Sequence, residues 1–249
     1  MPTAHLTVLT GASRGMGLAI AEQLLARGHC VLAISRQPTA LAVPAGAELI
    51  NWQADLADAF EVAEQLAYWL HSQGRRAHAS ATLINNAGVV SQLAPLSDLA
   101  AADLAQALRV GLEAPLLLSS AFLRATADWA VPRKVLMVSS GLARRAMAGS
   151  ASYCAAKAGL DHLARAVALE EAAKPDGARV VSLAPGVIDT DMQQQLRSAD
   201  AAQFPERERF VALRTSGQLS SPAEAARRLL AYLDRADFGQ QPVADVRDA

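Results

Sequence analysis

Short apolar runs alternate along this chain with longer amphipathic stretches. Six runs of five to seven residues are almost continuously apolar, which is typical of strands covered on both faces: 6–10, 30–35, 48–53, 81–85, 134–140 and 179–184. Helical patterns lie between them, for example at 17–28 and 59–74. The alternation indicates βαβ units, so the sequence predicts an α/β fold with a doubly wound parallel sheet and helices on both faces.

One segment departs from this rhythm. Residues 187–220 are polar and only weakly periodic, and we expect them to form a lid beside a substrate site. The helical pattern then resumes at Ser221, a predicted N-cap, with Pro222 at the first helical position and Glu224 completing a capping box.

Composition and charge narrow the class of protein. The chain has 249 residues, 52% of them hydrophobic, and a formal net charge of −1, so neither a nucleic-acid nor a membrane partner is expected. No apolar run reaches spanning length and no leader pattern is visible, which favours a cytoplasmic protein. The two cysteines are far apart and the five histidines are scattered, so no metal site is predicted.

A glycine-rich turn follows the first predicted strand and opens the first helix. In "TGASRGMG" (10–17), glycines permit a tight turn and close approach of the backbone to a pyrophosphate, while the helix N-terminus supplies free N–H groups. A structural turn without a ligand is the alternative. The predicted cofactor contacts here are Gly11, Ser13, Arg14, Gly15, Met16 and Gly17.

The end of the second predicted strand bears on which dinucleotide is bound. NAD-binding proteins of this architecture place an acid there for the ribose 2′-hydroxyl. Here the strand ends "AISRQ", without an acid but with Arg36, and Arg14 lies in the glycine turn. Two guanidinium groups near a 2′-phosphate favour NADP, although either arginine could be an ordinary surface charge.

"YCAAK" (153–157) places a tyrosine and a lysine four residues apart. On a helix these positions share one face, so Tyr153 and Lys157 would present a phenol beside an ammonium. Taken alone, the pair could be a chance feature of a helix surface.

Five motifs in order resemble the short-chain dehydrogenase/reductase family: "TGASRGMG", "NNAG" (85–88), Ser140 thirteen residues before Tyr153, "YCAAK" and "PGVIDT" (185–190). The resemblance covers nearly the whole chain. It implies a single Rossmann-type domain over residues 1–249 and an oxidoreductase that uses NADPH/NADP to reduce a small-molecule carbonyl substrate. It also implies a homodimer or homotetramer formed through the helices after the fourth and fifth strands.

The resemblance assigns roles to individual residues. Tyr153 would be the general acid, and Lys157 would lower the pKa of the tyrosine phenol and bind the cofactor ribose. Ser140 would hydrogen-bond the substrate carbonyl. The neighbouring Ser139 should point the other way, because side chains alternate along a strand. The further cofactor contacts implied are Asp55, Leu56, Asn86, Ala87, Gly88, Tyr153, Lys157, Pro185, Gly186, Val187, Ile188 and Thr190.

One position departs from the family pattern. The family usually carries an asparagine in the helix after the fourth strand, where it holds a water in a proton relay to the lysine, and this chain has Gly111 there. Glycine cannot supply that amide, which puts the turnover rate in doubt more than the reaction type.

The second half resembles the sepiapterin reductases and the bacterial benzil reductases, through "YCAAKAGLDHLARAVALEE", "APGVIDTDMQQQLR" and "DFGQQPVADVRD". This implies reduction of a vicinal diketone or of a pterin side-chain ketone, with Asp245 as the pterin anchor; a surface acid is the alternative. Another short-chain reductase, such as a 3-oxoacyl-carrier reductase or NAD-linked alcohol dehydrogenase, and a non-enzymatic cofactor sensor stay open.

Overall fold

A computed structural model describes residues 5–74 and 78–248 of the chain. Seven strands form one sheet: β1 His5–Thr10, β2 Cys30–Ser35, β3 Glu48–Gln53, β4 Ser80–Asn85, β5 Arg133–Val138, β6 Arg179–Ala184 and β7 Val243–Asp245. Eight α-helices connect or follow them: α1 Gly15–Ala26, α2 Ala59–Gln73, α3 Ala101–Leu108, α4 Ala114–Ala125, α5 Ala151–Ala172, α6 Asp191–Ser198, α7 Arg207–Thr215 and α8 Pro222–Leu233.

The sheet is parallel throughout, in the order β3-β2-β1-β4-β5-β6-β7. The chain moves outward from β1 to β3 and then returns to add β4 on the other side of β1. The loops that leave β1 and β4 therefore diverge at the carboxyl end of the sheet and open a crevice there, which is where ligands bind in folds of this kind. The predicted doubly wound α/β fold is confirmed.

Two apolar layers cover the sheet. Helices α2, α4 and α5 pack on one face, with fully buried side chains such as Leu66, Phe122 and Leu160. Helices α1 and α8 pack on the other, where Ile20 and Leu229 are fully buried. Because both faces are covered, the central strands are continuously apolar, and this is the pattern that revealed them in the sequence.

The strands differ from the prediction in the burial of β3, in the presence of β7 and in the length of β5. The edge strand β3 is only partly buried, and β7 has three residues, too few to give a periodic signal. The run 134–140 was too long, because β5 ends at Val138 and leaves both serines beyond the strand.

Residues 187–220 contain two helices rather than an irregular excursion. α6 and α7 follow the end of β6, and a parallel bridge between Ile188 and Ser220 joins the two ends of the segment. The segment contributes Leu196, Phe204 and Phe210 to a third apolar cluster, which also includes Leu93 and Met147. α6 and α7 bury only one or two side chains each, so the segment has few apolar residues and no helical periodicity that could be recognised in the sequence.

No helix within 5–74 and 78–248 is both long and apolar enough to cross a membrane.

The start of α8 shows how far a local motif determines the structure. Ser221 is the N-cap and its hydroxyl accepts a hydrogen bond from the Glu224 amide at 3.2 Å, as predicted. The Glu224 carboxylate, however, accepts from Arg227 and Arg228, each at 2.8 Å, so the second half of the predicted box is replaced by ion pairs.

Substituting Ser221→Ala should lower the free energy of unfolding by about 1 kcal/mol, because the first turn of α8 loses the acceptor for one of its free amides. Urea denaturation measures the loss. Ser221→Asp is the matched control, since aspartate caps equally well and should retain native stability. Equal losses in the two variants would show that the hydroxyl does not act as a cap.

Candidate active site

A cleft of about 1080 Å³ lies along the carboxyl ends of the parallel strands. It runs from the turn after β1, past the ends of β2 and β4, to the loops after β5 and β6. α6 and α7 border it on one side. Every residue predicted to bind cofactor or substrate, or to act in catalysis, lines this cleft, so positions scattered between 11 and 245 are brought together. Their individual roles stay predictions.

The glycine turn is built for close backbone approach. Gly11 has a φ of +68°, and a Cβ atom there would lie 2.9 Å from the Ala87 Cα. A Cβ on Gly17 would lie 2.0 Å from the Gly11 carbonyl oxygen, far inside van der Waals contact. Only glycine fits at both positions, and the turn leaves the first amides of α1 open to the cleft.

Asn86 holds this turn from the end of β4. Its side-chain amide donates to the carbonyls of Thr10 and Gly11 at 3.0 and 3.1 Å. The Thr10 hydroxyl in turn accepts from the backbone amides of Asn86 and Ala87, both at 3.0 Å. In the structure Asn86 therefore fixes the conformation of the glycine turn, a role that the motif resemblance did not specify.

The two arginines proposed to select NADP differ in their surroundings. Arg36 is exposed just past β2, and its guanidinium has no hydrogen bond or ion pair within the described part of the chain. Arg14, the N-cap residue of α1, instead forms a 2.9 Å ion pair with Asp191 at the first turn of α6. Arg36 is thus the freer of the two to meet an anion.

Nearby, Asp55 caps a short 3₁₀ turn by accepting from the Ala57 amide at 2.9 Å, and Leu56 is buried behind it.

The phenol and ammonium of "YCAAK" are side by side, as the helical spacing predicts. Both residues are in the first two turns of α5, and the Lys157 nitrogen is 5.7 Å from the Tyr153 ring centre. The ammonium donates to the Val138 carbonyl at 2.7 Å and is 4% exposed. It is therefore fixed between the end of β5 and the tyrosine.

Burial shifts the pKa of both side chains of the pair. Burial raises the pKa of the half-buried Tyr153 phenol, and a hydrogen bond with Ser140 acts in the opposite direction. Burial also lowers the pKa of Lys157 to about 8, while the Asp161 carboxylate acts to raise it. Burial is therefore the largest influence on the pKa of either side chain, and the stabilisation of the phenolate by Lys157 stays a prediction.

The structure separates the two neighbouring serines. Ser140 lies on the cleft at the start of a 3₁₀ turn, where its hydroxyl accepts from the Leu142 amide at 3.1 Å and bonds with Tyr153. Ser139 is 3% exposed, and its hydroxyl donates to Asp161 at 2.6 Å. The opposite directions expected for the two side chains are found, although both residues lie beyond the strand.

Gly111, where the family pattern has asparagine, has a packing role. It is buried in a π-helical turn, Arg109–Glu113, between α3 and α4. A Cβ atom there would lie 3.0 Å from the Ala156 Cβ in α5, which is tighter than normal contact. The glycine therefore lets α5 approach this turn closely.

Asp245 is neither exposed nor free. It is 5% exposed at the end of β7, and its carboxylate accepts a two-point ion pair from Arg247 at 2.8 and 2.6 Å. This hydrogen bonding is the main reason that its pKa is lowered. Arg247 lies two residues beyond the end of β7, and this opposite charge close in sequence was a readable signal that the prediction did not include.

The loop after β5 and the segment 187–220 add an apolar wall that the motifs did not reveal: Leu142, Met147, Leu196, Phe210 and Leu213. Two buried polar atoms of cleft residues, Ser150 Oγ and Gln193 Oε1, have no hydrogen-bond partner in the structure. Ser150 occupies the N-cap position of α5 without capping it. Such atoms cost free energy unless a ligand satisfies them.

A metal centre finds no support in the structure. Across 5–74 and 78–248, no three acidic, histidine or cysteine side chains cluster closely enough to hold an ion.

The chain is similar over nearly its whole length to known reductases. A benzil reductase ((S)-benzoin forming) of Bacillus cereus is 34% identical over 95% of this chain and 96% of its own. A sepiapterin reductase of Meriones unguiculatus is 32% identical, over 97% and 95%. The crystal structure of a short-chain dehydrogenase/reductase from Burkholderia vietnamiensis is 38% identical, with a TM-score of 0.65 over 98% of this chain and 99% of that one.

The model of the short chain dehydrogenase family matches residues 5–201, which is most of the chain. The glycine turn, the Asn86 clamp and the Tyr153–Lys157 pair all fall within that match. The chain belongs to the short-chain dehydrogenase/reductase family.

Proposed function

We propose that the protein is an NADPH-dependent carbonyl reductase that acts on one ketone of a vicinal diketone. The observation that carries this proposal is the grouping of Ser140, Tyr153 and Lys157 on the same cleft as the glycine turn. A proton donor, a hydroxyl partner and a buried cation thus face a site shaped for a dinucleotide.

The residues present fit such a cofactor. The glycine turn leaves no room for side chains where a pyrophosphate would approach, and the first amides of α1 are open to an anion. Arg36 offers an unpaired guanidinium beside the end of β2, where a 2′-phosphate would lie. Pro185 to Thr190 would border the nicotinamide ring. A bound NADPH supplies the hydride.

The side chains supply the proton and hold the carbonyl. Ser140 would donate a hydrogen bond to the substrate oxygen, which makes the carbon a better hydride acceptor. Tyr153 would then protonate the developing alkoxide from its phenol oxygen. The Tyr153 phenol is protonated at neutral pH, as a general acid for reduction must be, and burial raises its pKa further. The Lys157 ammonium would stabilise the phenolate left behind.

The substrate end of the cleft favours an aryl diketone. Its wall of leucine, methionine and phenylalanine side chains suits a large apolar substrate, such as the one named in the benzil reductases. The Ser150 hydroxyl could donate to the second carbonyl oxygen, which a simple ketone lacks. Asp245, by contrast, already receives three hydrogen bonds from Arg247, two from the guanidinium and one from the backbone amide, so little of its carboxylate is left for a pterin amino group.

Under this proposal, segment 187–220 serves as the lid, since α6 and α7 bring Leu196, Phe210 and Leu213 to the cleft. The cytoplasmic location and the homodimer or homotetramer stay predictions.

Replacing Arg36→Ala should raise the Kd for NADPH by roughly tenfold to a hundredfold, since a charge-assisted hydrogen bond contributes about 1.5–3 kcal/mol. NADH binding should be unchanged. Fluorescence titration with each cofactor measures both values. Arg14→Ala is the matched control and should have a smaller effect, because Asp191 already pairs with that guanidinium. Equal weakening of NADPH and NADH in Arg36→Ala would contradict the assignment.

The variant Tyr153→Phe should lose carbonyl reduction by at least about 100-fold, because the ring still packs but has no proton to deliver. NADPH consumption with benzil measures the loss, and a cofactor titration of the same variant should give a near-native Kd. Turnover close to native would place the proton donor elsewhere, with Ser140 the next candidate.

The native enzyme should have a higher kcat/KM for benzil than for sepiapterin, and Asp245→Asn should change both KM values by a similar factor. The physical reason is that the substitution frees Arg247 without removing a substrate contact. Arg247→Gln, which breaks the same ion pair from the other side, should behave alike. A KM increase of about tenfold or more for sepiapterin alone would instead make Asp245 a pterin anchor.

A further inference from the structure

The buried carboxylate Asp161 connects the elements that meet behind the active site. It is in α5 and is 2% exposed. One oxygen accepts from the hydroxyls of Ser139 at 2.6 Å and Ser182 at 2.8 Å, and the other accepts from the Arg144 guanidinium at 3.0 Å. Arg144 also donates to the Ala244 carbonyl at 3.0 Å. Asp161 therefore joins β6 and the loop after β5 to α5, and Arg144 extends the link to β7.

Asp161 continues the spacing of the catalytic pair. Positions 153, 157 and 161 are each four apart on α5, so the three side chains share one face of the helix. The carboxylate lies one turn behind the buried ammonium of Lys157. The same spacing is visible in the sequence "YCAAKAGLD" (153–161).

Few charges act on Lys157. Burial lowers its pKa to about 8, and Asp161 is the charged group that raises it. The Tyr153 ring and the Val138 carbonyl contact the ammonium, and both are neutral. The charged group that faces Asp161 from another element is Arg144, which comes from the loop after β5 and whose side chain is 35% exposed.

We infer that Asp161 is a positioning residue that keeps Lys157 charged and fixes the serine-bearing loop of the active site. Ser139 is committed to Asp161, which orients the following Ser140 toward the cleft. The Asp161 charge offsets the cost of burying the ammonium, and Arg144 balances the same carboxylate from outside. This inference rests on the proposed function, in which the ammonium stabilises the Tyr153 phenolate.

The test is Asp161→Asn, which keeps an oxygen acceptor for the two serines and removes the charge. Without the carboxylate the ammonium loses its proton more readily, so the alkaline limb of kcat/KM for benzil should move to lower pH than in the native enzyme, by about one unit. NMR titration of the Lys157 side chain should give the same shift without depending on turnover.

Glu171→Gln is the matched control, since Glu171 is also 2% exposed on α5 but bonds with Lys174 and the Ala178 amide, far from the site. The Glu171→Gln variant should change neither the alkaline limb of kcat/KM nor the Lys157 titration. If Asp161→Asn lowers activity equally at all pH values and leaves the Lys157 titration unchanged, Asp161 is only structural and the inference is wrong.

A second variant keeps the buried carboxylate and should shift the pKa of Lys157 in the opposite direction. Arg144→Gln takes away the cation that balances Asp161, so the full negative charge acts on Lys157 and the limb should move to higher pH. If Asp161→Asn fails to fold, an unmoved or lowered Lys157 pKa in Arg144→Gln overturns the inference. Absence of NADPH turnover in the native enzyme would instead refute the proposed function and leave the NMR titration to decide this one.

Discussion

Burying the ammonium of Lys157 is the constraint on which the active site depends. An ion removed from water is costly unless other groups replace its hydration. Here the Val138 carbonyl at the end of β5 accepts from the ammonium, and Asp161 supplies the compensating charge from the next turn of α5. The position of α5 against β5 is therefore tied to the same interaction that places Tyr153 on the cleft.

The balance of burial also bears on the direction of catalysis. A tyrosine whose pKa is raised holds its proton and can give it to an alkoxide, whereas oxidation of an alcohol would need the phenolate at the start. In the protein without cofactor, burial raises the Tyr153 pKa and the hydrogen bond with Ser140 acts to lower it. A cofactor ribose bound near Lys157 would alter the Tyr153 pKa again.

The sequence predicted most of the fold, because a sheet covered on both faces produces apolar runs that are easy to read. It missed β7 and the helices of segment 187–220, since those elements bury few side chains and owe their form to neighbours. Every residue that the motifs and the family resemblance assigned to the site lines the cleft. The sequence could not show that Arg14 is paired with Asp191, because those two residues are 177 positions apart and meet only in the folded chain. The pairing of Asp245 with Arg247 is local and could have been predicted.

Gly17 illustrates how a backbone contact restricts sequence change. A side chain at 17 would collide with the Asn86 amide, at 2.5 Å, and with the Gly11 carbonyl, at 2.0 Å. A smaller residue at 86 would relieve the first collision and at the same time remove the clamp on the turn, while no substitution moves a carbonyl oxygen of the main chain. No second mutation can therefore compensate for the loss of Gly17. A lineage that lost this glycine could regain the turn only by reverting to glycine.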